Sequence, residues 1–145
     1  MIAQLIAKLR VAAGRRFPQH LLSGQRGERL AYAHLKREGY RVIARNFRAR
    51  HSKGEIDILG WDGDQLACVE VKTRKTADFG RPERFVGQEK RRHLIRAAHE
   101  FARRVGVETT RLRFDIVSIT LEPEVQIELL RNAFSDRPGQ WGHRF

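Results

Sequence analysis

Residues 54–74 read GEIDILGWDGDQLACVEVKTR, which is two alternating apolar and polar segments around an Asp-Gly pair. Side chains alternate between the two faces of a β-strand, so these segments predict strands at Glu55–Trp61 and Gln65–Arg74. The Asp-Gly pair is typical of a two-residue hairpin turn, because both residues tolerate a positive φ. Alternation puts Ile56 and Ile58 on one face of the first strand. We therefore expect an antiparallel hairpin with two distinct faces.

The hairpin carries three candidate functional side chains. A loop at residues 62–63 places Asp57 diagonal to Glu70, whereas a loop at 63–64 places Asp57 directly opposite Glu70. In either register Asp57, Glu70 and Lys72 share a face, with Cβ atoms about 5–8 Å apart. Both carboxylates can then reach one cation.

Helical periodicity and glycine punctuation predict the elements around the hairpin. Ser23 and Gly24 open a helix that continues to about Glu38 and ends at Gly39. The other predicted elements are a strand at Tyr40–Ala49, a helix at about Gln88–Val105, and strands at Leu112–Leu121 and about Val125–Leu130. The order of one helix, three strands, one helix and two strands predicts an α/β sandwich around a mixed sheet of about five strands.

The chain reads as one domain with a basic segment at each end. Its 145 residues are 41% apolar, enough for one core. Residues 1–20 contain no acid and predict a basic amphipathic arm, although a targeting presequence or a membrane-surface helix has the same composition. The domain is expected at 21–131, and 132–145 is expected to be a loosely ordered basic tail. No apolar run reaches the ~20 residues that a membrane span needs.

The net charge indicates the kind of molecule that the protein binds, and the cysteine content indicates the compartment in which it works. The chain has 29 Lys and Arg against 17 Asp and Glu, a net charge of +12, and most of its basic residues are arginine. Such a field attracts polyanions, and the planar guanidinium grips phosphate oxygens in pairs. The composition of a GC-rich genome is the alternative explanation. Cys68 is the only cysteine, which excludes an internal disulfide and a cysteine zinc site and favours a cytoplasmic setting.

Glu28 is an unusual residue of the first predicted helix. It repeats at helical spacing with Ala31, Tyr32 and Leu35, and so lies on the apolar stripe. A carboxylate on a buried stripe is costly unless something pairs with it. If this helix packs beside the hairpin, Glu28 becomes a third acid there, able to bind an ion directly, to bind it through water, or to hold Lys72.

Such a set suits a divalent cation. Three carboxylates would repel a phosphate diester, and oxygen ligands favour Mg²⁺ or Mn²⁺ over zinc. The metal would lower the pKa of a bound water and neutralise the scissile phosphate. Lys72 has two candidate roles, orienting the attacking water or stabilising the developing charge, and the carbonyl of Val71 is a further candidate ligand. The alternative is that Asp57, Glu70 and Lys72 are polar positions on the exposed face of an amphipathic hairpin.

Two groups of basic residues are candidates for nucleic-acid contact. The residues are Arg74, Lys75, Arg81 and Arg84 in and before the loop after the second hairpin strand, and Lys90 and Arg91 at the start of the second helix. A solvated charged face is the alternative explanation. Asp115 shares a strand face with apolar residues and is expected to be a structural, hydrogen-bonded aspartate.

The ordered set of motifs resembles the PD-(D/E)xK nuclease superfamily: an acid-bearing helix, a strand with Asp57, Glu-x-Lys 13 residues later, then a helix and a strand. Over about residues 22–130 the chain more closely resembles the small bacterial YraN-type proteins, relatives of Holliday-junction resolvases. The matching segments are Gly27-Glu28, Arg45-Asn46-Phe47, Gly54-Glu55-Ile56-Asp57, Val69-Glu70-Val71-Lys72-Thr73-Arg74, Phe79-Gly80, Lys90 and Arg113-Phe114-Asp115.

The resemblance implies a restriction-endonuclease-like core, a metal role for Asp57 and Glu70, a catalytic role for Lys72 and a supporting one for Glu28. It implies an endonuclease acting on DNA, including branched or structured DNA, and a homodimer, with RNA as the other candidate substrate. Ile56 stands where the superfamily pattern has proline, and Arg92 stands where some relatives have a tyrosine. The rival functions are a non-catalytic nucleic-acid-binding protein with this fold, and an adaptor led by the N-terminal helix.

Overall fold

A computed structural model describes the backbone of residues 19–77 and 86–137, and the side chains from residue 24 onward within those ranges. The elements in chain order are α1 Gln19–Arg37, β1 Arg41–Arg48, β2 Glu55–Asp62, β3 Gln65–Arg74, α2 Gln88–Val105, a 3-10 turn Thr109–Arg111, β4 Leu112–Thr120 and β5 Gln126–Phe134. The predicted order of helix, three strands, helix and two strands is confirmed. Nearly all of the predicted N-terminal arm, and residues 138–145 of the predicted tail, lie outside the described ranges.

The five strands form one mixed sheet in the order β1-β2-β3-β4-β5. Only β3 and β4 run parallel, because the chain between them crosses over through α2, and the other three pairs are antiparallel. Within the described residues, no helix has the length and apolar content to cross a membrane. The predicted α/β sandwich around a mixed sheet is confirmed.

Each face of the sheet buries its own apolar cluster. The α2-side core contains Ile56, Leu59, Cys68, Phe114 and Ile116 packed on Leu94, Ala97 and Phe101 of the helix. The α1-side core contains Ile58, Ala67, Val69, Val117 and Ile119 packed on Ala31 and Leu35. Burying one such side chain contributes about 1.5–3 kcal/mol, so these clusters fix both helices on the sheet.

The hairpin turn selects one of the two registers left open by the sequence. Asp62 pairs with Gln65, so the turn residues are Gly63 and Asp64, and the pairing continues to Ile58 opposite Val69. Gly63 has a φ of +61°, which this tight turn requires. The pairing ends at Ile58 and Val69, and Asp57 and Glu70 are the next residues on the two strands.

Strand β2 changes face at Asp57. Ile56 packs in the α2-side core, whereas Ile58 packs in the α1-side core. The prediction that alternation keeps both isoleucines on one face is therefore wrong. The strand therefore changes face between these two isoleucines, at the candidate ligand Asp57.

The neighbouring strand β1 changes face at the same level. Arg45 stacks over the ring of Tyr32 on α1 at 4.1 Å, whereas Phe47 packs edge-on against Phe101 of α2, with ring centroids 5.1 Å apart. Asn46 between them has a φ of +52°, a left-handed conformation that asparagine tolerates better than most residues. A local irregularity of this kind re-aims side chains next to functional sites.

Two element ends differ from the sequence-based prediction. Helix α1 begins at Gln19, before the predicted opening at Ser23. Strand β5 continues to Phe134, although it was predicted to end near Leu130. The ring of Phe134 stacks on Phe114 with centroids 5.0 Å apart, and this contact with β4 holds the end of the strand in the sheet. The first residues of the predicted tail are thus part of the sheet.

Candidate active site

Asp57 lies where the paired part of the β2–β3 hairpin ends. The last paired residues are Ile58 and Val69. Just beyond them, the backbone N–H of Val71 donates a hydrogen bond of 2.8 Å to Oδ2 of Asp57. The carboxylate is thus held by a backbone donor of the neighbouring strand, at the point where the two strands separate.

Glu70 is a buried carboxylate in the central strand β3, with only 5% of the residue exposed. Its Oε1 pairs with Nζ of Lys90 at 3.4 Å. Its Oε2 is buried and has no hydrogen-bond partner among the described residues. A buried carboxylate oxygen without a donor costs free energy unless a proton or a cation satisfies it. The Asp57 carboxyl lies within hydrogen-bond range of Glu70, so either a proton shared with Asp57 or a hard cation can satisfy this carboxylate.

The two carboxylates perturb each other. Burial, followed by the charge of Asp57, raises the pKa of Glu70 to about 7, against the opposing effect of Lys90. Burial also raises the pKa of Asp57, although the Val71 N–H acts in the opposite direction. Two adjacent buried carboxyls of this kind hold a proton near neutral pH. A divalent ion at this position would have to displace it.

Glu28 lies beside this pair on α1. It is half-buried, and its pKa is raised by burial first and then by the charge of Asp57, while Arg45 lowers it. In residues 19–77 and 86–137, no three His, Cys, Asp or Glu side chains are close enough to hold one metal ion. The structure therefore brings Asp57 and Glu70 together, and Glu28 lies near enough to feel the charge of Asp57.

Two glycines allow both helices to approach the strands at this point. A Cβ on Gly27 of α1 would overlap the hydroxyl of Thr73 on β3. A Cβ on Gly54, just before β2, would overlap the carbonyl oxygen of His93 on α2. Because neither position has a side chain, α1 brings Glu28 to the site from one face of the sheet and α2 brings Lys90 from the other.

Lys72 follows Glu70 on the same face of β3. Alternation holds in this strand, since Leu66 and Cys68 belong to the α2-side core whereas Ala67 and Val69 belong to the α1-side core. Lys72 is partly exposed, unlike Glu70. On this face of β3 the partly exposed Lys72 therefore follows the buried Glu70.

The candidate nucleic-acid residues have different environments. Lys75 is exposed, whereas Arg74 is partly buried with Nη2 3.4 Å from Oγ of Ser118. Nε of Arg91 donates to the carbonyl of Val86 at 2.8 Å. Lys90 faces Glu70, which the sequence did not indicate because the contact depends on how α2 packs. Arg81 and Arg84 lie outside the described residues.

Asp115 has the structural role expected from the sequence. It is fully buried on the α1 side and accepts hydrogen bonds from the Tyr40 hydroxyl at 2.7 Å, from Arg113 at 2.8 and 2.9 Å, and from the Asn132 N–H at 2.9 Å. Arg113 also pairs with Asp62 at 2.7 Å. Arg131 pairs with Asp62 as well, at 3.1 Å, so the network joins β2, β4 and β5 and each of these charged groups has a partner of opposite charge.

Glu100 of α2 is a third buried carboxylate, and sequence reasoning missed it. It accepts backbone hydrogen bonds of 2.8 Å from both Arg50 and His51, in the connection between β1 and β2. Its only sequence signal is a position next to Phe101 on the inward side of the helix. The contact fixes a basic loop onto α2.

Comparison with known proteins identifies the family. Residues 27–119 match the sequence profile of the uncharacterised protein family UPF0102. A UPF0102 protein of Solibacter usitatus is 48% identical over 120 residues, which cover 83% of this chain and 89% of the relative. A UPF0102 protein of Geobacter sulfurreducens is 47% identical over 113 residues, 77% of this chain and 87% of the relative. The matched profile range contains Glu28, Asp57, Glu70 and Lys72, and this chain belongs to the UPF0102 family.

Proposed function

We propose that this protein is an endonuclease of the PD-(D/E)xK type, which hydrolyses phosphodiester bonds in DNA with Mg²⁺ or Mn²⁺. The observation that carries the proposal is the pair of adjacent buried carboxyls, Asp57 and Glu70, in which Oε2 of Glu70 receives no hydrogen bond from a described N–H or hydroxyl donor. A pair of carboxylates with water and a backbone carbonyl is a normal binding set for Mg²⁺, which keeps several of its own waters. Asp57, Glu70 and the carbonyl of Val71 would hold the ion.

The bound ion would supply a water of lowered pKa and neutralise charge on the scissile phosphate. The chain supplies the positioning. The Val71 N–H fixes the orientation of the Asp57 carboxylate, and the central strand fixes Glu70. Lys72 has an ammonium at the rim of the site, suited to orient the attacking water or to stabilise charge on the phosphate. Glu28 would hold a water on the α1 side.

The charge of the protein supports a nucleic-acid substrate. A net charge of +12 steers phosphates toward the surface. Lys75 is exposed just after β3, and Arg92 and Arg96 are exposed on α2. We take DNA as the substrate, with branched or structured DNA the first forms to test and RNA the control polymer. A homodimer would place two sites on the two strands of a duplex.

A screen of metal ion against substrate tests the proposal. Wild type is compared with Asp57→Ala and Glu70→Ala on linear, single-stranded, flap, four-way and RNA substrates, with Mg²⁺ or Mn²⁺. Glu128→Ala is the matched control, because it removes one exposed acid from β5 and leaves the site intact. We expect cleavage by wild type and control, and losses on the order of 100-fold or more in the two site variants.

A second candidate function is binding of nucleic acid without cleavage. The observation that favours it is the absence of a three-acid cluster among the described residues. Its signature is salt-sensitive binding that survives in Asp57→Ala and Glu70→Ala, with no metal-dependent product from wild type. Equal cleavage by wild type and both variants would mark the activity as a contaminant and favour this binding function.

A further inference from the structure

The site contains a positively charged side chain, that of Lys90. Lys90, in the first turn of α2, has its Nζ 3.4 Å from Oε1 of Glu70, and this is the only ion pair that Glu70 makes with a described residue. The other carboxylate oxygen has no donor among them. Lys90 thus pairs with one oxygen of the buried Glu70 carboxylate and leaves the other oxygen without a donor among the described residues.

The two members of this ion pair differ in freedom. Glu70 is in β3, which is hydrogen-bonded to β2 on one side and to β4 on the other, and only 6% of its side chain is exposed. The Lys90 side chain is 48% exposed and has a flexible four-carbon stem. Because about half of the Lys90 side chain is exposed, water can solvate its ammonium when the ion pair breaks, and the lysine loses little free energy. The carboxylate is therefore fixed, and the ammonium is able to move.

We propose that Lys90 is an exchangeable counter-cation, which pairs with Glu70 when the site holds no metal and releases it to a divalent ion. The released ammonium then contacts a phosphate of the nucleic acid. This inference rests on the proposed function, because it takes Glu70 as a metal ligand. It gives Lys90 two successive partners, first a carboxylate of the protein and then an anion of the substrate.

Competition with the ammonium predicts a measurable metal affinity. A positive charge within a few ångströms of the ion repels it, and the ion must also break the existing pair. Lys90→Met keeps an unbranched side chain that is one atom shorter and removes the charge, so we expect it to bind Mn²⁺ about three- to tenfold more tightly than wild type. Lys90→Arg keeps the charge and should stay within about twofold of wild type.

Electron paramagnetic resonance of free Mn²⁺, titrated into the full chain at pH 8.5, measures this affinity. Arg92→Met is the matched control, since it removes one exposed charge from the same helix. Tighter binding by Lys90→Met than by Arg92→Met supports the inference. Equal affinity in those two variants overturns it and leaves the proposed function standing. No Mn²⁺ binding by wild type overturns the proposed function, and with it the inference.

The salt dependence of DNA binding tests the second partner. Each phosphate contact contributes about 0.9 to the slope of log affinity against log salt. Ca²⁺ takes oxygen ligands like Mg²⁺ and serves as the probe ion, with a chelator in the parallel series. We expect Lys90→Met to lower the slope by about one with Ca²⁺ and to leave it unchanged with the chelator. An equal drop in both series means that Lys90 contacts phosphate whether or not metal is bound, and overturns the exchange.

Discussion

Each face of the sheet buries a carboxylate of the sheet, and the two carboxylates differ in how many partners they have. On the α1 side Asp115 is fully buried and accepts four hydrogen bonds, two of them from one guanidinium. On the α2 side Glu70 is 5% exposed and has one ammonium at 3.4 Å and one oxygen without a donor among the described residues. Burial is nearly equal, so burial alone does not distinguish a structural acid from a functional one.

The difference lies in the matching of partners. A buried charge that is fully paired stabilises the fold only while the whole network is intact, because each partner left alone is costly. A buried charge that is half paired costs free energy in the folded protein, and a ligand can recover that cost. We therefore expect changes at Asp115 to act on stability and changes at Glu70 to act on chemistry.

The largest effect is expected from Asp115→Ala. This change leaves Arg113 without its main partner and the Tyr40 hydroxyl without an acceptor, so we expect a loss of about 3–5 kcal/mol in the free energy of unfolding. Urea unfolding followed by circular dichroism measures it. Asp64→Ala in the exposed turn is the control, and a loss in Asp115→Ala no larger than in Asp64→Ala would mean that the network does not stabilise the sheet.

Glu70→Gln should show the opposite pattern. It keeps the shape of the side chain and removes the charge that would bind the metal, so we expect cleavage to fall on the order of 100-fold. The free energy of unfolding should change by less than about 1 kcal/mol, because a costly desolvated charge and one ion pair are removed together. Initial cleavage rates and urea unfolding of the same preparation give both numbers. Unfolding of Glu70→Gln at much lower urea than wild type would make Glu70 a structural acid like Asp115.

Gly27→Ala tests how the α1 helix reaches the site, a contact that the Asp115 network does not use. The new Cβ would overlap the Thr73 hydroxyl, and overpacking of this kind costs about 1–3 kcal/mol. Thr73→Ala in the same chain removes the hydroxyl and the methyl group but leaves the Thr73 Cβ position 2.9 Å from the new Cβ, so it should restore part of the stability. Thermal unfolding of the two single variants and the double variant measures the coupling, and strictly additive effects would contradict close packing of Gly27 on Thr73.

The smallest effect is a dependence of stability on pH. Burial holds the pKa of Glu70 at about 7 in the folded chain, above its ordinary value of 4.5, so the folded state binds more protons between these values. Stability should then fall as the pH rises from about 5 to 7, by on the order of 1 kcal/mol relative to Glu70→Gln.

The Asp62 carboxyl, held by Arg113, has a lowered pKa, and its contribution is lost only in acid. The contributions of Asp62 and Glu70 to stability therefore change in separate pH ranges. Urea titrations at pH 5, 6 and 7 measure the difference between wild type and Glu70→Gln. A difference that stays constant over this range would show that Glu70 is ionised throughout.

The sequence predicted the elements whose signals are local. The ends of β3 and α2 match the prediction because alternation, helical periodicity and flanking glycines all fall within those segments. The pairing of acids on the hairpin was predicted as well, and the turn at Gly63 and Asp64 selects one of the two registers.

The features that the sequence did not predict depend on contacts between distant segments. The change of face at Asp57 accompanies the left-handed Asn46 on the neighbouring strand, and no alternation rule contains that information. The end of β5 depends on Phe134 stacking on Phe114. The Lys90–Glu70 pair depends on how closely α2 crosses Gly54. Predicting each of these features requires the tertiary contacts between segments that are far apart in the sequence.

The strand that bears Glu70 and Lys72 is the middle one of five. This strand cannot shift without breaking its hydrogen bonds to β2 and β4. Structural changes at the outer strands should therefore leave the spacing of these two side chains unchanged. The outer strands β1 and β5 each pair with one strand among the described residues, and they carry mostly exposed or half-exposed residues. Substitutions there can alter which molecules the surface accepts while the acidic centre keeps its dimensions, and recognition and chemistry can therefore be redesigned separately.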